Sequence, residues 1–383
     1  MNSETKRVVF QVFLFITTFV TTTFAGSAWC YGKMISPEYT WHDFLLGMNF
    51  SVPLLLFLTV HEFGHYFMAL FHKVKTSLPY YIPVPPISVL ALSIGTMGAV
   101  IRLRSRPHSN QQHFDIGMAG PLAGFIVGVG ILIYGFATLP PPEYIFEIHP
   151  EYKQYGLNYA EHVYSPEHFK DGGIDVQIGG NLLYHLLETV IADPARVPNP
   201  HEVMHYPALF AGFFALLFTC LNLLPIGQLD GGHVVYGLFG RKVHRVIATI
   251  AFVALLLYAG LGNELIDLKN SSDMAVVTVP AYVIFLYLCL TGLKLHWRDT
   301  LMYAMLIFAL HFGMAAFLPA VKGYSGWMLF GLVVGRFVGI QHPPSEVEVP
   351  LDNKRVVLGW ITLLIFVLCF SPAPVEAAIN PPQ

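Results

Sequence analysis

Hydrophobic positions along this chain form long unbroken runs, with no alternation and no one-sided helical stripe. A membrane-spanning helix needs about 20 mostly apolar residues. Nine runs approach that length: Val8–Trp29, Phe44–Phe71, Phe114–Leu139, Tyr206–Ile226, Val243–Leu261, Met274–Leu293, Thr300–Ala320, Gly326–Ile340 and Val356–Phe370. The first could be a signal peptide, with small residues at Ala25–Ala28 after Lys6 and Arg7. Its apolar run exceeds the roughly 7–15 residues of a signal core, which favours a retained helix.

Composition agrees with the pattern. Of 383 residues 55% are hydrophobic and 12% charged, against about 25% charged in soluble domains; mean hydropathy is +0.57. A net charge of −3 gives no support for a nucleic-acid partner. Cys30, Cys220, Cys289 and Cys369 form no C-x-x-C pair and read as small buried hydrophobes.

Lys and Arg mark the cytoplasmic side of a membrane protein. Lys73, Lys75, Arg102, Arg104 and Arg106 follow the second run, and Arg241, Lys242 and Arg245 follow the fourth. The loops at Tyr31–Asp43 and Pro140–His205 are poor in both. This alternation puts the N-terminus in the cytoplasm.

Three connections stand out. Ser77–Gln112 carries prolines that forbid a continuous helix, yet it is too apolar for an ordinary loop. It reads as a re-entrant element, with Ala99–Ser105 as a short strand. The polar, aromatic-rich insert Pro140–His205 reads as a small extracytoplasmic cap. A polar break at Gln341–Arg355 interrupts the last apolar runs. The expected divisions are 1–43, 44–139, 140–205, 206–242 and 243–383.

The second run contains "HEFGH" (His61–His65). On a helix, positions i and i+4 share a face. His61 and His65 can therefore present two imidazoles to one metal ion, while Glu62 can reach a metal-bound water as general base. Ionisable residues within a membrane are costly and point to function. A second match, "HEVMH" (His201–His205), is flanked by prolines and lies in a polar region. Chance would place such a match in roughly 1 of 40 similar chains, and the copy reads as a solvated loop or helix start. His149, His162, His168 and His185 of the insert also read as solvated, and His311 as a buried hydrogen-bonding group.

A catalytic zinc usually takes three protein ligands. Asp230 is the best third candidate, being the only acid between Tyr206 and Phe239. Pro225 and Gly227 break the helix before it, and the charge pattern puts it on the same side as HEFGH.

HEFGH followed by "NLLPIGQLDG" (Asn222–Gly231) resembles the site-2 protease family of intramembrane zinc metalloproteases. The family's second motif, N-x-x-P-x-x-x-L-D-G, is matched at Asn222, Pro225, Leu229, Asp230 and Gly231. The likeness continues through Gly95–Leu103 and Asp115–Phe125 and covers Phe57–Gly240 apart from the insert. It implies an all-α polytopic membrane protein with a three-helix catalytic core, a re-entrant β-strand/loop element, and extra N- and C-terminal transmembrane helices. It also implies one Zn2+ per chain on His61, His65 and Asp230, with Glu62 activating water and Asn222 orienting substrate or stabilising the oxyanion. The implied substrate is a transmembrane protein or peptide in the bilayer. Gly95 and Gly98 permit close backbone approach at a strand edge that could hold an unwound substrate. Gly120, Gly124 and Gly128 recur at the spacing of close helix contacts. His233, just after the motif, reads either as a partner of the site or as a surface residue.

Two other classes stay open at this point. A metal-ion transporter would spread polar groups along several helices and favour repeated halves. A different membrane zinc protease, such as one acting on prenylated C-termini, would lack the Asn222–Gly231 motif.

Overall fold

A computed structural model describes residues 3–85, 93–165, 173–262 and 272–380. The apolar runs become helices because lipid offers the backbone no hydrogen-bond partners, so each run must satisfy its own N–H and C=O groups. The elements are α1 (Ser3–Tyr31), α2 (Trp41–Phe71), β1 (Tyr80–Pro83), β2 (Thr96–Val100), α3 (Asn110–Ala137), α4 (Ile145–Ile148), α5 (Tyr159–Val163), β3 (Gly173–Ile178), α6 (Leu182–Ile191), α7 (Pro207–Leu223), α8 (Asp230–Ala259), α9 (Ser272–Leu290), α10 (Trp297–Phe317), α11 (Gly326–Val333), α12 (Asn353–Cys369) and β4 (Val375–Asn380). The protein is mostly helical, and all nine apolar runs are helical. Among the described residues five helices (α1, α2, α3, α8 and α10) are long and apolar enough to cross a membrane.

The fifth run begins earlier than its apolar pattern suggests. Helix α8 starts at Asp230 and passes Arg241 and Lys242, with one non-helical residue at Gly240 (φ +73°). The polar stretch at Arg241–Lys242 thus lies within a helical segment that bends at Gly240.

The described residues divide into two compact units. The first comprises Met1–Arg106, Ala119–Leu221 and Ile365–Gln383; the second comprises Pro107–Met118 and Asn222–Leu364.

In the first unit, α2 opens with a capping box. The Thr40 hydroxyl accepts from the Asp43 N–H at 3.3 Å, and the Asp43 carboxylate accepts from the Thr40 N–H at 2.8 Å. Helices α1 and α2 cross closely at Gly26 and Gly47; a Cβ on Gly47 would lie 2.0 Å from the Thr23 carbonyl oxygen. Thr23 and Ser51 share a buried 2.8 Å hydrogen bond beside this crossing. Close approach through small residues with polar bridges is the usual packing of helices in lipid.

Strands β1 and β2 pair antiparallel, with Tyr80 opposite Val100 and Pro83 opposite Thr96. The strand expected at Ala99–Ser105 thus begins earlier, at Thr96. Beyond Val100 the pairing continues through a bridge between Thr76 and Leu103, flanked by the Ser77–Arg102 and Arg104–Lys75 backbone hydrogen bonds. Residues 86–92 of the proline-rich segment lie outside the described residues. Strands β3 and β4 form a second antiparallel pair, which ties the insert to the C-terminal segment.

The insert is built on aromatic packing. Ile145, Tyr152, Tyr159 and Val163 form a buried cluster, and His149, Tyr152 and Tyr159 stack at ring separations of 4.5 and 5.0 Å. His162 and His185 are exposed, in line with the sequence reading; His168 lies outside the described residues. His149 is not simply solvated: its side chain is 27% exposed.

The solvated reading of HEVMH is overturned. Glu202 is 1% and His205 7% exposed. The prolines do prevent an α-helix, but the segment closes a single 3-10 turn at Val203–His205, and that turn packs inward. His201 bonds Asp175 at 2.7 Å and stacks on Tyr164.

In the second unit the polar break 341–355 is anchored rather than loose. Asn110 pairs with the backbone of Val349 through two hydrogen bonds of 2.8 and 2.9 Å. Arg355 grips buried Asp115 with two contacts of 2.8 and 2.7 Å. His311 is fully buried between the Tyr282 hydroxyl and the Leu257 carbonyl, as the sequence reading expected.

Candidate metal centre

Helix α2 carries His61, Glu62 and His65 in its second half, all buried at 2, 5 and 7% exposure. Four residues of α-helix return the chain to the same face, and the two imidazole Nε2 atoms come within 3.1 Å of each other. Two nitrogens on a tetrahedral zinc, with bonds of about 2.0–2.1 Å, sit roughly 3.3 Å apart. The helical pair therefore fits that ion.

Space for the pair is carved by glycines. A Cβ on Gly120 of α3 would lie 2.1 Å from His65 Nε2, and one on Gly124 would lie 3.1 Å from the His61 ring and 2.9 Å from Phe57. Gly64 lets α2 approach the α3 backbone, where a Cβ would meet the Ala119 oxygen at 2.5 Å. The four-residue glycine spacing thus does more than draw helices together: it seats the imidazoles.

Asp230 is the first residue of α8 in the second unit, following Leu229 in extended conformation. The turn before it is tight. A Cβ on Gly231 would fall 1.9 Å from the Leu223 oxygen, and one on Gly232 2.3 Å from the Gly227 oxygen. Glycines at 231 and 232 are therefore a requirement of the chain path. Asn222 lies one residue before the end of α7.

Gly95 and Gly98 both take left-handed backbone, at φ +86° and +98°. Gly95 makes its close approach to α1: a Cβ would lie 2.4 Å from the Thr21 oxygen, and the Thr21 hydroxyl donates to the Gly95 carbonyl at 2.7 Å. Gly98 faces open space. Among the described residues β2 pairs with β1 alone, so its other edge has no strand beside it, and Met97 is 71% exposed there.

Sequence reasoning missed one cluster beyond His233. His233 Nδ1 lies 2.7 Å from His342 Nε2, and His342 Nδ1 meets the Pro343 carbonyl at 2.6 Å. His113 stacks on His233, and Tyr236 on His342. These histidines are distant in sequence, and no spacing rule joins them. Burial pushes the His342 imidazole down to about 2, helped by the neighbouring His233 and His113.

A model of peptidase family M50 matches residues 49–261, more than half of the chain. The chain belongs to peptidase family M50. Curated relatives of this M50 chain include "Probable zinc metalloprotease EGY1, chloroplastic" of Arabidopsis thaliana, 28% identical over 57% of this chain and 34% of the relative. "Probable zinc metalloprotease EGY2, chloroplastic" of Oryza sativa subsp. indica is 28% identical over 54% of this chain and 31% of its own length. "Probable zinc metalloprotease EGY3, chloroplastic" from the same source is 26% identical over 64% and 39%. The M50 chain thus spans about a third of the length of the curated relatives it matches. No solved structure matches it.

Proposed function

We propose that this M50 chain is a membrane-embedded zinc endopeptidase that hydrolyses peptide bonds in or near transmembrane segments of membrane proteins, as in regulated intramembrane proteolysis. The observation that carries the reading is the buried His61–His65 pair, 3.1 Å apart at Nε2, with Glu62 buried on the same turn. His61, His65 and Asp230 hold one Zn2+; Asp230 enters as the acid of the Asn222–Gly231 motif. A zinc ion held by these residues would supply Lewis-acid chemistry, acidifying a water toward a pKa of ~7.

The chain's own groups do the rest. Glu62 takes the proton of the attacking water and returns it to the leaving amine. Asn222 donates its amide N–H toward the carbonyl oxygen that gains charge. A helical substrate hides its carbonyls in its own hydrogen bonds, so it must be extended at the cut. The free edge of β2, from Thr96 to Val100, offers backbone partners for an added strand, and Gly98 leaves room for it. The Lys/Arg pattern puts the site toward the cytoplasm.

The test is cleavage of a reconstituted transmembrane peptide by the wild-type chain and by Glu62→Gln, with bound zinc measured in both. Cleavage should fall by at least ~100-fold, the usual share of a general base, while zinc content stays. Undiminished cleavage by Glu62→Gln would remove the proposed mechanism.

A further inference from the structure

The insert holds a second convergence of ligand groups, on residues that the M50 reading leaves idle. His149, Glu202 and His205 each place one ligand atom within 4.8 Å of the other two. Their outer contacts fix what those atoms carry. The Nδ1 of His205 faces the Cys30 carbonyl at 3.1 Å, and a carbonyl only accepts, so that nitrogen bears the hydrogen. The Nδ1 of His149 faces the Glu151 carboxylate at 3.0 Å and is fixed in the same way. A neutral imidazole has one N–H, so both Nε2 atoms keep lone pairs, and these face each other at 3.1 Å. Two lone pairs at that distance repel unless a cation, either a metal ion or one added proton, lies between them.

The third group supplies negative charge. Glu202 Oε2 lies 3.5 Å from His205 Nε2, while its Oε1 accepts from the Tyr164 hydroxyl. Separations of 3.1 and 3.5 Å bracket the roughly 3.3 Å between neighbouring ligands on a tetrahedral zinc. Imidazoles held from behind by a carboxylate and a carbonyl are the usual surroundings of metal-ligating histidines. The His233–His342 pair makes a useful contrast. There an Nδ1 meets an Nε2, His342 Nδ1 is occupied by Pro343, and one ordinary N–H···N hydrogen bond satisfies the contact.

We propose that His149, Glu202 and His205 form a metal site distinct from the HEFGH site, binding one Zn2+ or a similarly borderline divalent cation. Two imidazoles and a carboxylate suit that ion class. The H-E-x-x-H spelling of His201–His205 takes part, but not as it would on an α-helix. In a 3-10 turn residues i and i+3 share a face, so Glu202 and His205 point together, while His201 turns away to Asp175. The site is structural: it fastens the turn before α7 to the start of the insert, and through the Cys30 carbonyl to the end of α1. It does not depend on the proposed protease activity.

The full chain, purified in detergent through a histidine-free tag, carries the test. A His61→Ala/His65→Ala variant, equilibrated with Zn2+ and desalted, should retain about one zinc per chain by elemental analysis. Adding His205→Ala or Glu202→Gln should remove it. Retained zinc that is lost with His205→Ala, in a wild-type chain holding only that one ion, would keep this site and sink the proposed catalytic one. No zinc in the His61→Ala/His65→Ala chain overturns the proposal. Because His205→Ala could misfold, thermal unfolding of the His61→Ala/His65→Ala chain gives a second reading. Chelator should lower its midpoint and Zn2+ restore it, and the added Glu202→Gln should abolish both responses. A midpoint indifferent to chelator also overturns the proposal.

Discussion

At the residue scale, the contact that bears most directly on the histidine pair is at Gly120. Any side chain there would share space with the His65 imidazole, at 2.1 Å from Nε2. Gly120→Ala should therefore push the ring off its position. Displacements of about 1 Å at a reacting centre cost roughly 100-fold in rate. Cleavage should fall by that order, approaching His65→Ala, whereas Gly130→Ala on the same helix, with nothing within 4 Å, should cut normally. A Gly120→Ala enzyme as fast as wild type would show that the imidazoles find their geometry without this contact. The HEFGH helix was legible in the sequence because an i, i+4 pair needs only a regular helix. The seating of its rings was not: the glycine spacing announces close packing but does not say which side chain fills the gap.

Among the elements, the polar break before α12 is anchored in part by one ion pair. Asp115, 5% exposed, is held by Arg355 through two parallel contacts, and Arg355 also reaches Asp352. Breaking a buried pair from one side leaves a charge without a partner and costs about 3–5 kcal/mol. Asp115→Ala should lower unfolding stability of the detergent-solubilised chain by about 1–2 kcal/mol, below that range because Arg355 is 29% exposed and keeps Asp352 as a partner. Arg355→Lys should cost less, since it keeps the charge and loses the fork. Equal stability of wild type and Asp115→Ala would mean that the break is held by its other contacts, at Asn110 and Tyr236. Asp115 stood out in the sequence only as part of a motif; its partner 240 positions later followed from no local rule.

For the whole molecule, the distribution of Lys and Arg carries a prediction of orientation. The basic residues from Lys73 to Arg106 and the insert from Pro140 to His205 should lie on opposite faces of the membrane. A reporter whose activity depends on its compartment, placed at exposed Asn158 of the insert and at Arg106, should report different sides. The same side for both would reverse the proposed path across the bilayer and separate HEFGH from the cytoplasm.

Hydropathy, charge and motif spacing by themselves determined a helical membrane protein, its apolar segments, and a histidine pair at metal-ligand spacing within one of them. These are local properties: a run of apolar residues must be helical in lipid, and helical geometry alone places residues four apart on one face. Tertiary structure decided what depends on distant chain meeting distant chain. It moved the strand to Thr96–Val100, seated His61 and His65 against Gly124 and Gly120, and buried a His201–His205 segment that read as solvated. In that last case the prolines did forbid the α-helix. What they could not reveal is that a single turn, packed against His149 and the Cys30 carbonyl, orients Glu202 and His205 as well as a helix would.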